Sequence, residues 1–301
     1  MIIVFGSLNA DYLFNVKRLP GPGETTLAEQ LLVMAGGKGG NQALAAAKAG
    51  ADVKMAGATG KDGNADVALN GLREQQLDLS AVKAVDQPTG MASISVDEQG
   101  ENVITVFAGA NHLATSDQIN DACLKPGVIV MCQMEVPIEQ IEKLLLRAHL
   151  AGASTVLNLA PPRPLTSLSV LQAIDFLIVN EGELVSLSKQ IDIDTTQPKA
   201  DLLRSVAMQT ATTIIVTLGA AGAAAFHEGQ EYRIAAPKVE PIDTVGAGDA
   251  FAGAFAAALD RGAEFEEALQ HGVVAGSLAC TQQGAQSALP TLQAIQQMIA
   301  C

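Results

Sequence analysis

The sequence contains no tryptophan, two tyrosines and eight phenylalanines among 301 residues, so its core has to rest on Ala, Val, Leu and Ile. That palette suits a sheet packed between layers of helices. Basic residues are scarce too: 18 Lys and Arg stand against 32 Asp and Glu, a formal net charge of −14. This balance argues against a nucleic-acid partner, because phosphate backbones need a basic face. An anionic ligand therefore has to be held locally, by backbone amides or a metal. The four cysteines (Cys123, Cys132, Cys280, Cys301) lack C-x-x-C or zinc-like spacing. Free thiols in a reducing cytosol are expected. The four histidines (His112, His149, His227, His271) share no metal-ligand spacing and read as structural or surface residues. No apolar run approaches the ~20 residues of a membrane span, and residues 1–11 carry no basic segment. A soluble, cytoplasmic protein without a membrane partner is expected. No Walker A loop occurs; G-A-T-G-K at 57–61 has the wrong spacing and is followed by Asp62.

What is present is glycine in clusters that open helices. The strongest runs from Asp243 to Gly253, D-T-V-G-A-G-D-A-F-A-G. Gly246, Ala247 and Gly248 precede Asp249, and the chain then turns Ala-rich and helical. A glycine loop feeding a helix N-terminus offers free N–H groups and the positive end of the dipole to an anion. On its own the stretch also fits a glycine turn with a capping Asp. A second cluster, G-G-K-G-G-N (Gly36 to Asn41), runs into an Ala-rich helix expected over 42–48.

In chain order, residues 1–6 read as a buried strand, after which Asn9 and Asp11 fall on one face of an extended segment. They could both meet a ligand's hydroxyls or form a solvated turn. P-G-P-G-E-T (20–25) is a loop, and 27–34 reads as extended. Residues 53–77 form a strand–loop–helix unit, and 91–96 and 102–107 a hairpin. Pro137 is expected at the first position of a helix. Strands are expected at 127–132, 155–159, 176–179 and 213–217, with a hairpin-like segment at 223–226. Alternation of strands and helices predicts an α/β fold with a mostly parallel sheet. No linker divides the chain, so 1–301 is read as one domain, with small-sheet strands inserted at about 11–34 and 91–107. Polar residues recur at strand ends (Asn9, Glu135, Asn158, Asn180, Thr217), where the ligand crevice of such folds lies.

Six motifs, in order along the whole chain, resemble those of the ribokinase-like (PfkB) carbohydrate kinases. They are G-S-L-N-A-D (Gly6 to Asp11), G-G-K-G-G-N, Q-M-E (Gln133 to Glu135), N-E-G-E (Asn180 to Glu183), T-L-G (Thr217 to Gly219) and D-T-V-G-A-G-D. The resemblance implies a three-layer αβα sandwich with a small β-sheet lid. It implies transfer of the γ-phosphoryl group of ATP to a sugar hydroxymethyl, with D-ribose the leading substrate. Deoxyribose or a nucleoside is the alternative acceptor, and a silent sugar-binding regulator is the alternative outside catalysis. A dinucleotide dehydrogenase fails, because Gly246-x-Gly248 does not follow a first strand or precede a distal ribose-binding acid.

Carried onto this chain, the resemblance makes Asp249 the base and Gly246, Ala247 and Gly248 an anion hole. Asn9, Asp11, Gly37, Lys38 and Asn41 line a sugar pocket, with Glu135 at its edge. Asn180 and Glu183 act near the phosphates, Glu183 on Mg2+ through water. Thr217, Gly219, Gly222 and Val273 border the nucleotide. A K+ site is implied at Asp243 and the Val245 carbonyl, completed by Ala279, Gln282, Gly284 and Ala288. Three positions depart from the family's pattern: Val273 replaces Asn or His, Ala288 replaces a potential serine ligand, and Gly40 replaces Ala. A homodimer through the lid sheets is also implied.

Overall fold

The computed structural model describes residues 1–300. The chain opens with β1 (Ile2–Phe5), β2 (Asn9–Val16), β3 (Ala28–Gly36), α1 (Lys38–Lys48), β4 (Val53–Thr59) and α2 (Gly63–Glu74). Next come β5 (Asp78–Ala84), β6 (Gly90–Val96), β7 (Asn102–Phe107), β8 (Ile129–Cys132), α3 (Ile138–Leu150) and β9 (Ser154–Asn158). They are followed by α4 (Leu168–Gln172), β10 (Phe176–Asn180), α5 (Glu181–Gln190), α6 (Lys199–Thr210) and β11 (Thr213–Thr217). The last elements are β12 (Ala223–His227), β13 (Gln230–Ile234), α7 (Ala247–Asp260), α8 (Phe265–Ala279) and α9 (Leu292–Ile299).

The larger sheet has the order β13-β12-β11-β10-β9-β8-β1-β4-β5. It is parallel except at β12 and β13. Alternate side chains of β1 feed two separate cores: Ile2 and Val4 join Leu44, Phe251 and Phe255 on one face. Ile3 and Phe5 join Ile141, Leu171, Leu187 and Val206 on the other. One face thus carries α1, α2, α7 and α8, and the other α3 to α6. This is the expected three-layer α/β arrangement. The four strands β3-β2-β6-β7 form a second, smaller sheet. The parallel pairing of β2 with β6 and the antiparallel pairing of β6 with β7 hold it together.

Three local expectations change. Helix α1 begins at Lys38, inside the glycine cluster, not at residue 42. Glycine disfavours helix, but a Cβ at Gly39 would lie 2.5 Å from Gly6 C and Ser7 N, so packing overrides propensity. Pro137 caps α3 in place of starting it: its φ of −56° and ψ of 127° are non-helical. Its carbonyl accepts the first N–H groups, from Gln140 and Ile141. Strand β5, unforeseen in the 53–77 unit, adds an edge to the sheet. Only Ala81 of it is buried, and the Lys54–Asp78 ion pair (2.8 Å) lies along it.

Helices α1 and α7 cross at close range, because a Cβ on Gly253 would lie 2.5 Å from the Ala45 Cβ. That approach brings the N-termini of the two helices together. No helix among the described residues is long and apolar enough to cross a membrane. Cys123, Cys132 and Cys280 are free, and burial pushes the Cys132 thiol up; Cys301 lies outside the described residues. Of the histidines, His271 is buried beside Arg261 and His227 stacks on Phe265 at 4.1 Å. His112 and His149 are exposed.

Candidate active site

The site forms where α1 and α7 begin, at the carboxyl ends of β1, β8, β9 and β10. Gly246 caps α7 in the left-handed region (φ 78°), and a Cβ there would come 2.9 Å from Ala285 Cα. Only glycine fits both demands. The Ala247 N–H donates to Thr244 O at 3.3 Å, and the first i→i+4 bond of α7 runs from Ala250 N–H to Gly246 O at 2.8 Å. The N–H groups of Gly248 and Asp249 precede that bond and lie at the positive end of the helix dipole. At Gly248 an added Cβ would meet nothing within 4 Å, so the helix end is open there. Asp249, 5% exposed, accepts Asn41 Nδ2 on Oδ2 (3.0 Å) and Gln42 Nε2 on Oδ1 (2.8 Å). Two consecutive amides of α1 therefore hold the one acid at the start of α7.

The glycine cluster folds around Ser7 and Asp11. Gly37 has φ 84°, and its Cβ position lies 2.9 Å from Ser7 O and Asn9 N. Glu135 Oε2 accepts the Ser7 hydroxyl (2.5 Å) and the Lys38 N–H (2.9 Å), while Gly39 N–H donates to Ser7 Oγ (3.3 Å). Glu135 thus clamps the loop, a larger part than a place at the pocket edge. Asn9, also expected to face a ligand, is buried and its Oδ1 accepts from Asn111 Nδ2 (2.8 Å). Asp11 Oδ1 and Asn41 Oδ1 are buried without a partner. Such atoms are costly unless something arrives to pair with them.

The charges interact closely. Burial, then Glu135, then Asp249 push the Asp11 carboxyl up to about 7. Asp249 above all, with Glu135 and Glu183, holds the Lys38 ammonium above its usual range against the effect of burial. Burial raises Glu183, opposed by the N–H of Asn180 and by Lys38. Asp11, Lys38, Asn41, Glu135, Glu183 and Asp249 accordingly form one cluster.

Asn180 and Glu183 form a reciprocal capping box on α5: Asn180 N–H donates to Glu183 Oε2 (2.7 Å) and Glu183 N–H to Asn180 Oδ1 (2.8 Å). Thr217 at the end of β11 donates to Val179 O (3.4 Å). Gly219 and Gly222 bound a 3-10 turn with φ 56° and 93°. Val273, in contrast, is 4% exposed and packs in the core. Of the expected cation residues, Asp243 meets Val245 N–H at Oδ1 (3.0 Å) and Gly284 N–H at Oδ2 (2.9 Å). Ala279 and Ala288 are buried and Gln282 is exposed. Among the described residues no group of three His, Cys, Asp or Glu could hold a metal by itself.

Sequence reasoning missed Ser7, Asn111 and Gln42. Ser7 lay inside a quoted motif and Gln42 directly followed another, so both were within reach of a search for buried polar neighbours. Asn111 carried no signal.

The model of the pfkB family carbohydrate kinases matches residues 1–292. The chain belongs to that family. It is a carbohydrate kinase. It is 35% identical over 306 residues to the ribokinase of Staphylococcus aureus (strain COL), covering 99% of each chain. The crystal structure of ribokinase from Thermotoga maritima superposes with a TM-score of 0.92 at 30% identity, covering 100% of this chain and 99% of that one. The structure of Arabidopsis thaliana ribokinase complexed with ribose and ATP gives 0.89 at 29% identity, covering 100% and 98%. The fold and the activity class implied by the six motifs therefore hold for this kinase.

Proposed function

We propose that this kinase is ATP-dependent and phosphorylates D-ribose on its hydroxymethyl oxygen, giving ribose 5-phosphate. The observation that carries the reading is the Asp249 carboxylate, held by Asn41 and Gln42 at the open end of α7, with the unpaired acid Asp11 close by. Asp249 accepts the proton of the attacking hydroxyl. The N–H groups of Gly246, Ala247 and Gly248 stabilise charge on the transferring phosphoryl group, a task that a loose transition state leaves to positioning and electrostatics. Asp11 Oδ1 and Asn41 Oδ1 supply the acceptors that vicinal sugar hydroxyls need, and Glu135 keeps the Gly37–Lys38 loop closed on them. Lys38, among Asp249, Glu135 and Glu183, offsets their charge where phosphates enter.

The nucleotide borders Asn180, Thr217, Gly219 and Gly222. Glu183 would hold Mg2+ indirectly, through water, as suits an ion that retains several waters; bound with ATP, Mg2+ would neutralise phosphate charge. Both Asp243 oxygens already accept backbone N–H groups, and Ala288 offers no hydroxyl. K+ would thus add to an organised loop, and it is proposed as an activator and not a requirement. Leu31, Val33, Val103, Ile104, Val106 and Phe107 of the smaller sheet are exposed. They support a homodimer through these sheets, a lid role for them, and twice the chain mass in solution. A monomeric mass would contradict that. The unpaired cysteines suit the reducing cytoplasm, the proposed location.

ATP consumption tests the central reading: D-ribose should stimulate it more than deoxyribose, other sugars or nucleosides.

A further inference from the structure

Asp249 is also gripped from behind, by a chain of amides anchored in the sheet. The backbone carbonyl of Ile178 in β10 can only accept, so Asn158 at the end of β9 turns its Nδ2 towards it, at 3.2 Å. Asn158 Oδ1 is left facing α1, where it accepts from Gln42 Nε2 at 3.0 Å. The same Nε2 donates to Asp249 Oδ1 at 2.8 Å. Each amide's orientation is dictated by the one before it, and the first is dictated by an oxygen that cannot donate. Asn41, the other donor to Asp249, has no such anchor: its Oδ1 is unpartnered, so its amide is free to turn over.

Gln42 is 0% exposed and Asn158 7%. The arrangement leaves Gln42 Oε1 buried with no partner. An unpaired buried amide oxygen is costly, and a methionine of similar length would avoid it. What the glutamine gains for that cost is a donor whose direction is fixed by the sheet.

We infer that Gln42 and Asn158 are positioning residues for phosphoryl transfer, locking the plane of the Asp249 carboxylate so that its remaining lone pairs aim at one point. This rests on the reading of Asp249 as the base. Neither residue touches substrate; Asn158 acts only through Gln42. A donor fixed from the sheet matters because a small misplacement of a reacting group lowers the rate steeply while binding is retained.

The test is a double-mutant cycle read in single turnover with D-ribose and MgATP, so that product release does not mask chemistry. Gln42→Met should slow transfer about tenfold, the scale of one hydrogen bond to a charged group, with KM for ribose and ATP within about twofold of wild type. Asn158→Leu should slow it less, about threefold, with the same split. The double variant should be no slower than Gln42→Met alone. Losses that multiply, or that fall on KM and leave the rate intact, overturn the relay. If Gln42→Met does not fold, Asn158→Leu decides: an unchanged transfer rate overturns it. Wild-type turnover in the same assay keeps the two readings apart. An inactive wild type sinks the kinase proposal on ribose, whereas an active one with unimpaired variants sinks only the relay.

Discussion

Replacing Asp249 with asparagine lowers the turnover of D-ribose by about 10²–10⁴-fold, the usual worth of a positioned base. KM for the sugar should change less than the rate, because Asp249 is proposed to act on the hydroxyl proton and Asp11 keeps its own contact with the other hydroxyls. The substitution suits the site sterically. Gln42 must keep donating towards position 249, its direction being set through Asn158. Asn41 can rotate its unpartnered Oδ1 towards the new amide. The folded state is therefore retained and the loss is chemical. Steady-state rates with a thermal melt check this. Activity within threefold of wild type would remove Asp249 from its proposed role.

Asp11→Asn should do two opposed things. It should lower kcat/KM for ribose by about 10- to 100-fold, the worth of a hydrogen bond to a charged acceptor, while raising the melting temperature at alkaline pH. The second effect follows from the upward shift of the Asp11 carboxyl to about 7, caused by burial, then Glu135 and Asp249. A carboxyl with a raised folded-state pKa stabilises the fold fully below its unfolded value near 3.8. That contribution is lost as pH rises through about 7. The variant, always neutral, does not lose it. Its melting temperature should thus exceed that of wild type at pH 8 and match it near pH 4. In the wild type, kcat/KM, which reports the free enzyme, should rise with pH through about 7, and Asp11→Asn should flatten that limb. A melting-temperature difference that is the same at pH 4 and pH 8 would contradict the assignment of this ionisation to Asp11. Such a residue, costly to the fold and useful to the site, is an ordinary form of the stability–function trade-off.

The layered fold was legible because hydrophobic runs such as I-I-V-F and their glycine and polar ends repeat at strand spacing. The helix start at Lys38 was not, because glycine's propensity points one way and its close approach to Gly6 and Ser7 points the other. Only the tertiary contact decides between them. Asp249 and its glycines could be picked out locally, since a helix N-terminus is a local feature. The partner that orients Asp249 could not: Gln42 is 207 residues away along the chain and meets it only after α1 packs on the sheet, where Asn158, marked from its place at a strand end, turns the Gln42 amide. Glu135 was placed at the edge of the site, whereas its carboxylate fastens Ser7 and the Lys38 N–H together. Val273, a position assigned by resemblance, packs its side chain in the core.

The most direct test of the account is ADP formation by the purified chain with MgATP, measured across D-ribose, deoxyribose, other sugars and nucleosides, with and without K+. The position of the new phosphate is then read by phosphorus NMR. ADP formation should depend on ribose, persist without K+, and yield a phosphate ester on the hydroxymethyl carbon. ATP turnover that no sugar or nucleoside stimulates would contradict it.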